Sequence, residues 1–174
     1  MKALPIVLTI ASTMVLAGCS TSTKPSHSSP NHSSSQTSKK VDTRPTASFK
    51  NQTFHTKFGD FKIEDNSKSA SATAGKQALV VKYSFTNNSK KAVVPSDVWY
   101  KYVVAKQGGK TLEQGSLPFS TDTTKNDQLE NNSVDEVKPG KTIKALGSWE
   151  MKNSNQVQVT FYGLKHEVVG RVTY

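Results

Sequence analysis

The residues of this chain that could do chemistry are few and widely spaced. Cys19 is the sole cysteine among 174 residues, and it follows Leu16, Ala17 and Gly18 at the end of an apolar run. One cysteine excludes an intramolecular disulfide framework and a zinc site built from several thiolates. Its thiol is the only group in that stretch suited to a thioether bond. Two Gly-Lys-Thr triplets, Gly109-Lys110-Thr111 and Gly140-Lys141-Thr142, invite a phosphate-loop reading. That loop needs another glycine five positions upstream, where Val104 and Asp135 stand, so both triplets read as hairpin turns. His166-Glu167 lacks the second histidine of a zinc protease motif, because Gly170 occupies that position. No Gly-x-Ser-x-Gly elbow is present. Residues 121–136 hold Asp122, Asp127, Glu130, Asp135 and Glu136, oxygen ligands that a loop could offer to Ca²⁺, but without the central Gly and spacing of an EF-hand. Trp99 and Lys101 are the remaining pair. If the Val98/Tyr100/Tyr102/Val104 face of their segment is the core face, Trp99 points outward beside Lys101 as a ligand platform for glycan or peptide. The opposite assignment makes Trp99 the core residue and Tyr100 and Tyr102 the outer pair. A strand covered on both faces is the third possibility.

Three segments must position these groups. Met1-Lys2-Ala3 is a short positive start, and Leu4 to Leu16 is apolar but shorter than the roughly 20 residues of a membrane-spanning helix. This is the pattern of a secretory signal over 1–18. Leu16-Ala17-Gly18-Cys19 resembles the lipobox of bacterial lipoproteins at all four positions. The resemblance implies cleavage before Cys19 and attachment of a diacylglycerol to its sulfur. Acyl chains at about 0.8 kcal/mol per buried CH₂ would anchor the chain on the extracellular face of the cell membrane.

Residues 19–48 then read as a disordered tether. Ten Ser and five Thr fill positions 20–48, and Val41 is their only large aliphatic side chain. Such a segment cannot bury enough apolar surface to offset its ordering entropy. As a flexible chain it spans roughly 30 Å on average. All fourteen aromatic residues lie in 49–174, which is therefore the segment able to build a core.

Within 49–174 the pattern is that of strands. Phe54, Thr56 and Phe58 alternate with polar neighbours, and Phe61–Glu64 continues beyond a Gly59-Asp60 turn. Leu79, Val81, Tyr83 and Phe85 give the cleanest period of two. Residues 65–77 and 115–132 read as polar loops, and Val93-Val94-Pro95 as a strand end. Residues 98–105 read as a strand, followed by a hairpin at Gln107-Gly108-Gly109-Lys110 into Thr111–Gln114. Pro139-Gly140 turns into a long strand over 141–151 with Ile143, Ala145, Trp149 and Met151 on one face. Val157, Val159 and Phe161, then Val168, Val169 and Val172, complete the set. The expectation is an all-β fold, an Ig-like antiparallel β-sandwich of about 7–8 strands, with a small barrel as the alternative.

Val81-Lys82-Tyr83-Ser84-Phe85-Thr86-Asn87-Asn88-Ser89 resembles the strand and turn of Ig-like domains in Gram-positive lipoproteins. Val137-Lys138-Pro139-Gly140-Lys141, followed by a strand with Trp149-Glu150, resembles a second landmark of the same proteins. Together they are similar to the domain-of-unknown-function family 5067 over roughly residues 54–163. That family carries no established catalytic residues, so the resemblance implies none here.

The expected function is a non-enzymatic, membrane-tethered binding or interaction domain of the cell envelope. An accessory solute- or ion-binding lipoprotein is the alternative. No cofactor and no catalytic residue is expected. The net charge of +10 would suit nucleic acid, but export argues against that partner. Removing Lys2 with the signal leaves +9, of which the tether carries +3 and the domain +6. Anionic lipid head groups, a cell-wall polymer or another envelope protein are the partners this charge and location fit.

Overall fold

The computed structural model describes residues 47–119 and 126–174. Leu16, Ala17, Gly18, Cys19, the Ser/Thr-rich segment up to residue 46, and Asp122 lie outside the described residues. The described chain forms two antiparallel sheets packed face to face. The first contains β1 (Ala47–Lys50), β2 (Thr53–Thr56), β3 (Gly59–Ala70), β4 (Gln77–Asn87) and β7 (Thr142–Met151), in that order. The second contains β6 (Lys110–Thr111), β5 (Val103–Gln107), β8 (Gln158–Tyr162) and β9 (Val168–Thr173), in that order. Two short helices are added, α1 (Pro95–Tyr102) and α2 (Asp127–Val134). The all-β sandwich expected from the alternation is the fold observed, with nine strands among the described residues.

Register explains the core. Phe61 pairs with Phe85, Ile63 with Tyr83, Leu79 with Trp149 and Tyr83 with Ala145, so the period-two sets of β3, β4 and β7 meet on one face. Val103, Ala105, Val159 and Phe161 face them from the second sheet, and all are buried.

Trp99 fills the centre. It is 0% exposed. Its ring stacks on Tyr83 at 4.4 Å and lies 5.4 Å from Phe61, 6.0 Å from Trp149 and 6.1 Å from Phe161. Gly147 of β7 makes room for it, since a Cβ there would collide with the indole. Burial of this kind for an aromatic side chain is worth on the order of 3 kcal/mol.

Four sequence expectations are corrected. Residues 95–102 are helical, where a strand over 98–105 was expected. Pro95 at the first turn has its φ already set for a helix, and its missing N–H is no loss there. Asp97 in the first turn and Lys101 in the last suit the helix dipole. The buried residues Pro95, Val98, Trp99 and Tyr102 follow a helical period, which the alternating pattern across the same residues concealed. Pro95 is thus a helix start and not a strand end.

Residues 65–70, expected in a loop, prolong β3. They pair with β4 alone past a register shift between Ile63 and Asp65, as a polar edge that needs no buried face. Residues 127–134 are α2, so half of the 121–136 segment is helical and not a loop. Finally, β6 ends at Thr111. The chain then crosses to the first sheet, where Gly115 N–H donates to Ser148 O at 3.0 Å and Glu150 N–H to Glu113 O at 3.0 Å. That contact covers part of the free edge of β7.

Candidate functional site

The two sequence landmarks meet at one end of the first sheet. Asn87 closes β4 and is 0% exposed. Its side-chain amide donates to Lys91 O and to Val137 O, both at 2.7 Å. Its carbonyl oxygen accepts from Ser89 N–H and from the Ser89 hydroxyl, both at 2.8 Å. Its backbone N–H donates to Lys141 O at 2.9 Å, and its backbone carbonyl accepts from Gly140 N–H at 2.8 Å. A buried amide with every strong site used is a rigid joint. It fastens the Asn88–Lys91 turn to the Lys138–Lys141 turn. The second turn is shaped by Pro139 and by Gly140 at φ +73, with Lys141 N–H donating to Lys138 O at 3.1 Å. Val93 and Val137 exchange backbone bonds just beyond, at 3.1 and 2.9 Å.

This joint displays cations. Lys90, Lys91, Lys138 and Lys141 are exposed, and none is in an ion pair among the described residues. Lys57, on the β2–β3 turn at the same end, is exposed and lies over the Phe58 ring at 5.0 Å. The register sets the place of the chain's arrival. Ala47 pairs with Thr56, the Thr56 hydroxyl donates to Gly59 O at 2.8 Å, and Gly59 pairs with Asn87. The first described residue therefore stands at this end, here called the near end.

The far end is built differently. Gln107 of β5 is 4% exposed. Its amide donates to Asn153 O at 3.0 Å and Asn155 O at 2.8 Å, and its carbonyl accepts from Lys152 N–H at 2.8 Å. The β5–β6 turn at this end has Gly108 and Gly109 at φ +56 and +77, the tight hairpin that the Gly-Gly pair implied. The nearby Lys76 pairs with Glu150, whose carboxyl is held below its ordinary range first by that lysine. Lys68 donates to Ser154 O at 3.0 Å.

Trp99 and Lys101 do not form a surface platform. Trp99 is the core residue, and its indole N–H and the Tyr83 hydroxyl are buried without a hydrogen-bond partner. Burial pushes the Tyr83 hydroxyl pKa well above its ordinary value, so it stays neutral. Lys101 is exposed and lies 5.6 Å from the Tyr102 ring. It borders an open groove of about 400 Å³ with Phe58, Val93, Val94 and Tyr102 on its floor and Asp97 and Glu136 on its rim. In the acidic segment, burial first raises the Glu130 pKa. Among the described residues, no group of three or more His, Cys, Asp or Glu is placed to hold a metal ion. Among them too, no helix is long and apolar enough to cross a membrane.

The joint is not legible in the sequence. Its two halves were legible as turns, but nothing in the spacing of Asn87 and Val137 says that one holds the other.

Comparison with known proteins bears on the fold and the family. A Staphylococcus aureus protein described as a "putative lipoprotein" superposes with a TM-score of 0.62 at 16% identity, over 74% of this chain and 90% of its own. A protein from Enterococcus faecalis, solved by NMR, superposes with a TM-score of 0.58 at 18% identity, over 74% of this chain and 92% of its own. At these identities the likeness is one of fold. No curated protein sequence matches the chain. The family model described as "Domain of unknown function (DUF5067)" matches residues 34–163. It ends where the sequence resemblance ends and begins earlier, within the Ser/Thr-rich segment. The chain belongs to the domain-of-unknown-function family 5067.

Proposed function

We propose that the chain is a lipid-anchored protein of the outer cell surface, and that its sandwich is a non-enzymatic binding domain. The observation that carries this reading is the placement of the sole cysteine, Cys19, behind Leu16-Ala17-Gly18 at the end of a signal-like apolar run. The lipoprotein description of the Staphylococcus aureus neighbour, whose fold is shared, supports it. The Ser/Thr-rich run between Cys19 and Ala47 would let the domain stand off the membrane on a span of roughly 30 Å. On this reading the two-sheet core is a scaffold, and recognition falls to the turns and the groove at its surface.

Cys19→Ser tests the anchor. Expressed in a Gram-positive host fed labelled fatty acid, the wild type incorporates label and partitions into detergent. The variant does neither and accumulates as a longer precursor. Equal labelling and partitioning of the two proteins would overturn the lipoprotein reading.

A further inference from the structure

We infer that the outward face of the second sheet binds a hydroxyl-rich anionic polymer, with phosphate or carboxylate groups of the polymer seated at Arg171. The inference rests on the outer-surface reading for the polymer's availability, but the face itself is argued from register, charge and exposure.

Register defines the face. Val103, Ala105, Val159 and Phe161 point into the core, so Val104, Lys106, Thr160 and Tyr162 point away from it. Thr160 stands between Val104 and Arg171, and Gln158 between Lys106 and Thr173. Past the register shift, Tyr162 pairs with Val168. No strand residue on this face has a carboxylate side chain. Its two cations, Lys106 and Arg171, are in no ion pair among the described residues. The carboxylates nearest along the chain are Glu113, on the segment that crosses to the first sheet, and Glu167, in the β8–β9 turn. Glu167 Oε2 accepts from Lys165 N–H at 2.9 Å. The outward face of the first sheet is balanced instead. Lys82 lies 3.9 Å from Asp65 there, and Lys144 lies 3.4 Å from Glu64. Lys50 and Lys62 on that face are matched in number by Asp60 and Glu150.

The side chains on the face fit this class of ligand. Arg171 is exposed and is the one arginine among the described residues, where every other fixed cation is a lysine. A guanidinium offers paired donors to a phosphate or carboxylate, which an ammonium does not. Tyr162 is the one strand aromatic that faces outward among the described residues, and it stands two residues along β8 from the partner of Arg171. Its ring and Val168, which is 41% exposed, give apolar surface for the C–H groups of a polyol or sugar. Gln158 and Thr173 are exposed and offer amide and hydroxyl groups. The Cα atoms of Lys106 and Arg171 are about 12 Å apart at strand spacing and rise, so a chain with repeated charges meets both. β8 bonds a neighbour on each side, so the centre of the face has no free backbone ladder for a peptide strand. One outward aromatic is too few to stack successive bases of a nucleic acid.

The test uses the full chain carrying Cys19→Ser, so that binding reads the face and not a lipid. The probes are poly(glycerol phosphate) and polygalacturonate, which carry phosphate and carboxylate, with dextran as an uncharged polymer. The parent protein should bind at least one anionic polymer, release it as salt rises, and ignore dextran. The tighter of the two polymers identifies the anionic group. Arg171→Gln should weaken binding by about tenfold or more, and Arg171→Lys by less. Arg171→Gln with Lys106→Gln should weaken it further. Lys62→Gln with Lys144→Gln removes the same net charge from the opposite face and should change binding less than about threefold. In the parent, polymer-induced amide shifts should gather on β5, β8 and β9, a readout that needs no variant to fold. Binding to neither anionic polymer overturns the proposal, as do equal losses from the two pairs of substitutions or shifts gathered elsewhere. Binding to phosphatidylglycerol vesicles but to neither polymer also overturns it. Fatty-acid labelling of the wild type separately decides the anchor reading.

Discussion

Each end of the sandwich is tied by one buried amide, and the two amides do different work. Asn87 joins two turns that flank the β4–β7 pair within one sheet. Gln107 joins a strand of the second sheet to the chain leaving β7 of the first. The first arrangement sets the shape of an exposed surface; the second holds two layers together. Lysines without carboxylate partners among the described residues lie at both ends: Lys90, Lys91, Lys138 and Lys141 at the first, Lys68, Lys106, Lys110 and Lys152 at the second, where Lys76 pairs with Glu150. Similar chemistry thus fixes two turns at one end and closes two layers at the other.

The largest effect should come from removing what both ends share. Trp99→Ala would empty the centre of the core and cost about 4 kcal/mol. Denaturant unfolding should show it, and both ends should lose amide-exchange protection together. Loss confined to one end would mean that the ends are not fastened to a common core.

Next in size is Asn87→Ala, which leaves Lys91 O, Val137 O and Ser89 N–H without their side-chain partner. It should cost about 3 kcal/mol, lower Tm by about 10 °C, and loosen both near-end turns. Gln107→Ala should cost about 2 kcal/mol and raise amide exchange in the Lys152–Asn155 segment while the near-end turns stay protected. If each variant raises exchange at both ends alike, the division between the two joints fails.

The smallest effect concerns acid. Contacts with Lys76 hold Glu150 below its ordinary range, and a hydrogen bond from Ser84 does the same for Glu64, which Lys144 also approaches at 3.4 Å. A carboxyl with a lowered folded-state pKa contributes stability that is present above its unfolded pKa, about 4.3. That contribution is lost as pH falls through the folded value. Melting temperature should therefore decline on acidification below about pH 4.5. Lys76→Met should flatten that decline without altering the near end. A decline unchanged in Lys76→Met would show that the far-end pair is not coupled to folding.

Much of the fold was legible because it rests on alternation. The core-facing residues Val81, Tyr83 and Phe85 of β4, Ala145, Trp149 and Met151 of β7, and Val159 and Phe161 of β8 recur with a period of two, even where added cover also buries Val80, Leu146 and Thr160 between them. The Gly108-Gly109 and Pro139-Gly140 turns were legible because they need backbone angles that these residues supply. Residues 95–102 were misread because Val98, Tyr100 and Tyr102 satisfy a period of two by coincidence. Pro95-Ser96-Asp97 was the counter-signal, a helix start that outweighs alternation. The far half of β3 was hidden because an edge strand needs hydrogen bonds to one neighbour and no apolar face. The candidate surface was the least legible part. Lys90, Lys91, Lys138 and Lys141 are some fifty residues apart in two groups, and only a buried side-chain amide brings the groups together.

The claim most exposed to a direct measurement is that one buried amide fastens both near-end turns. Amide exchange in Asn87→Ala would be followed at Ser89 and Lys91 on one turn and at Gly140 and Lys141 on the other. Protection should fall at both turns together, with the Lys152–Asn155 segment protected as in the parent. Unchanged protection at Gly140 and Lys141 would contradict the joint.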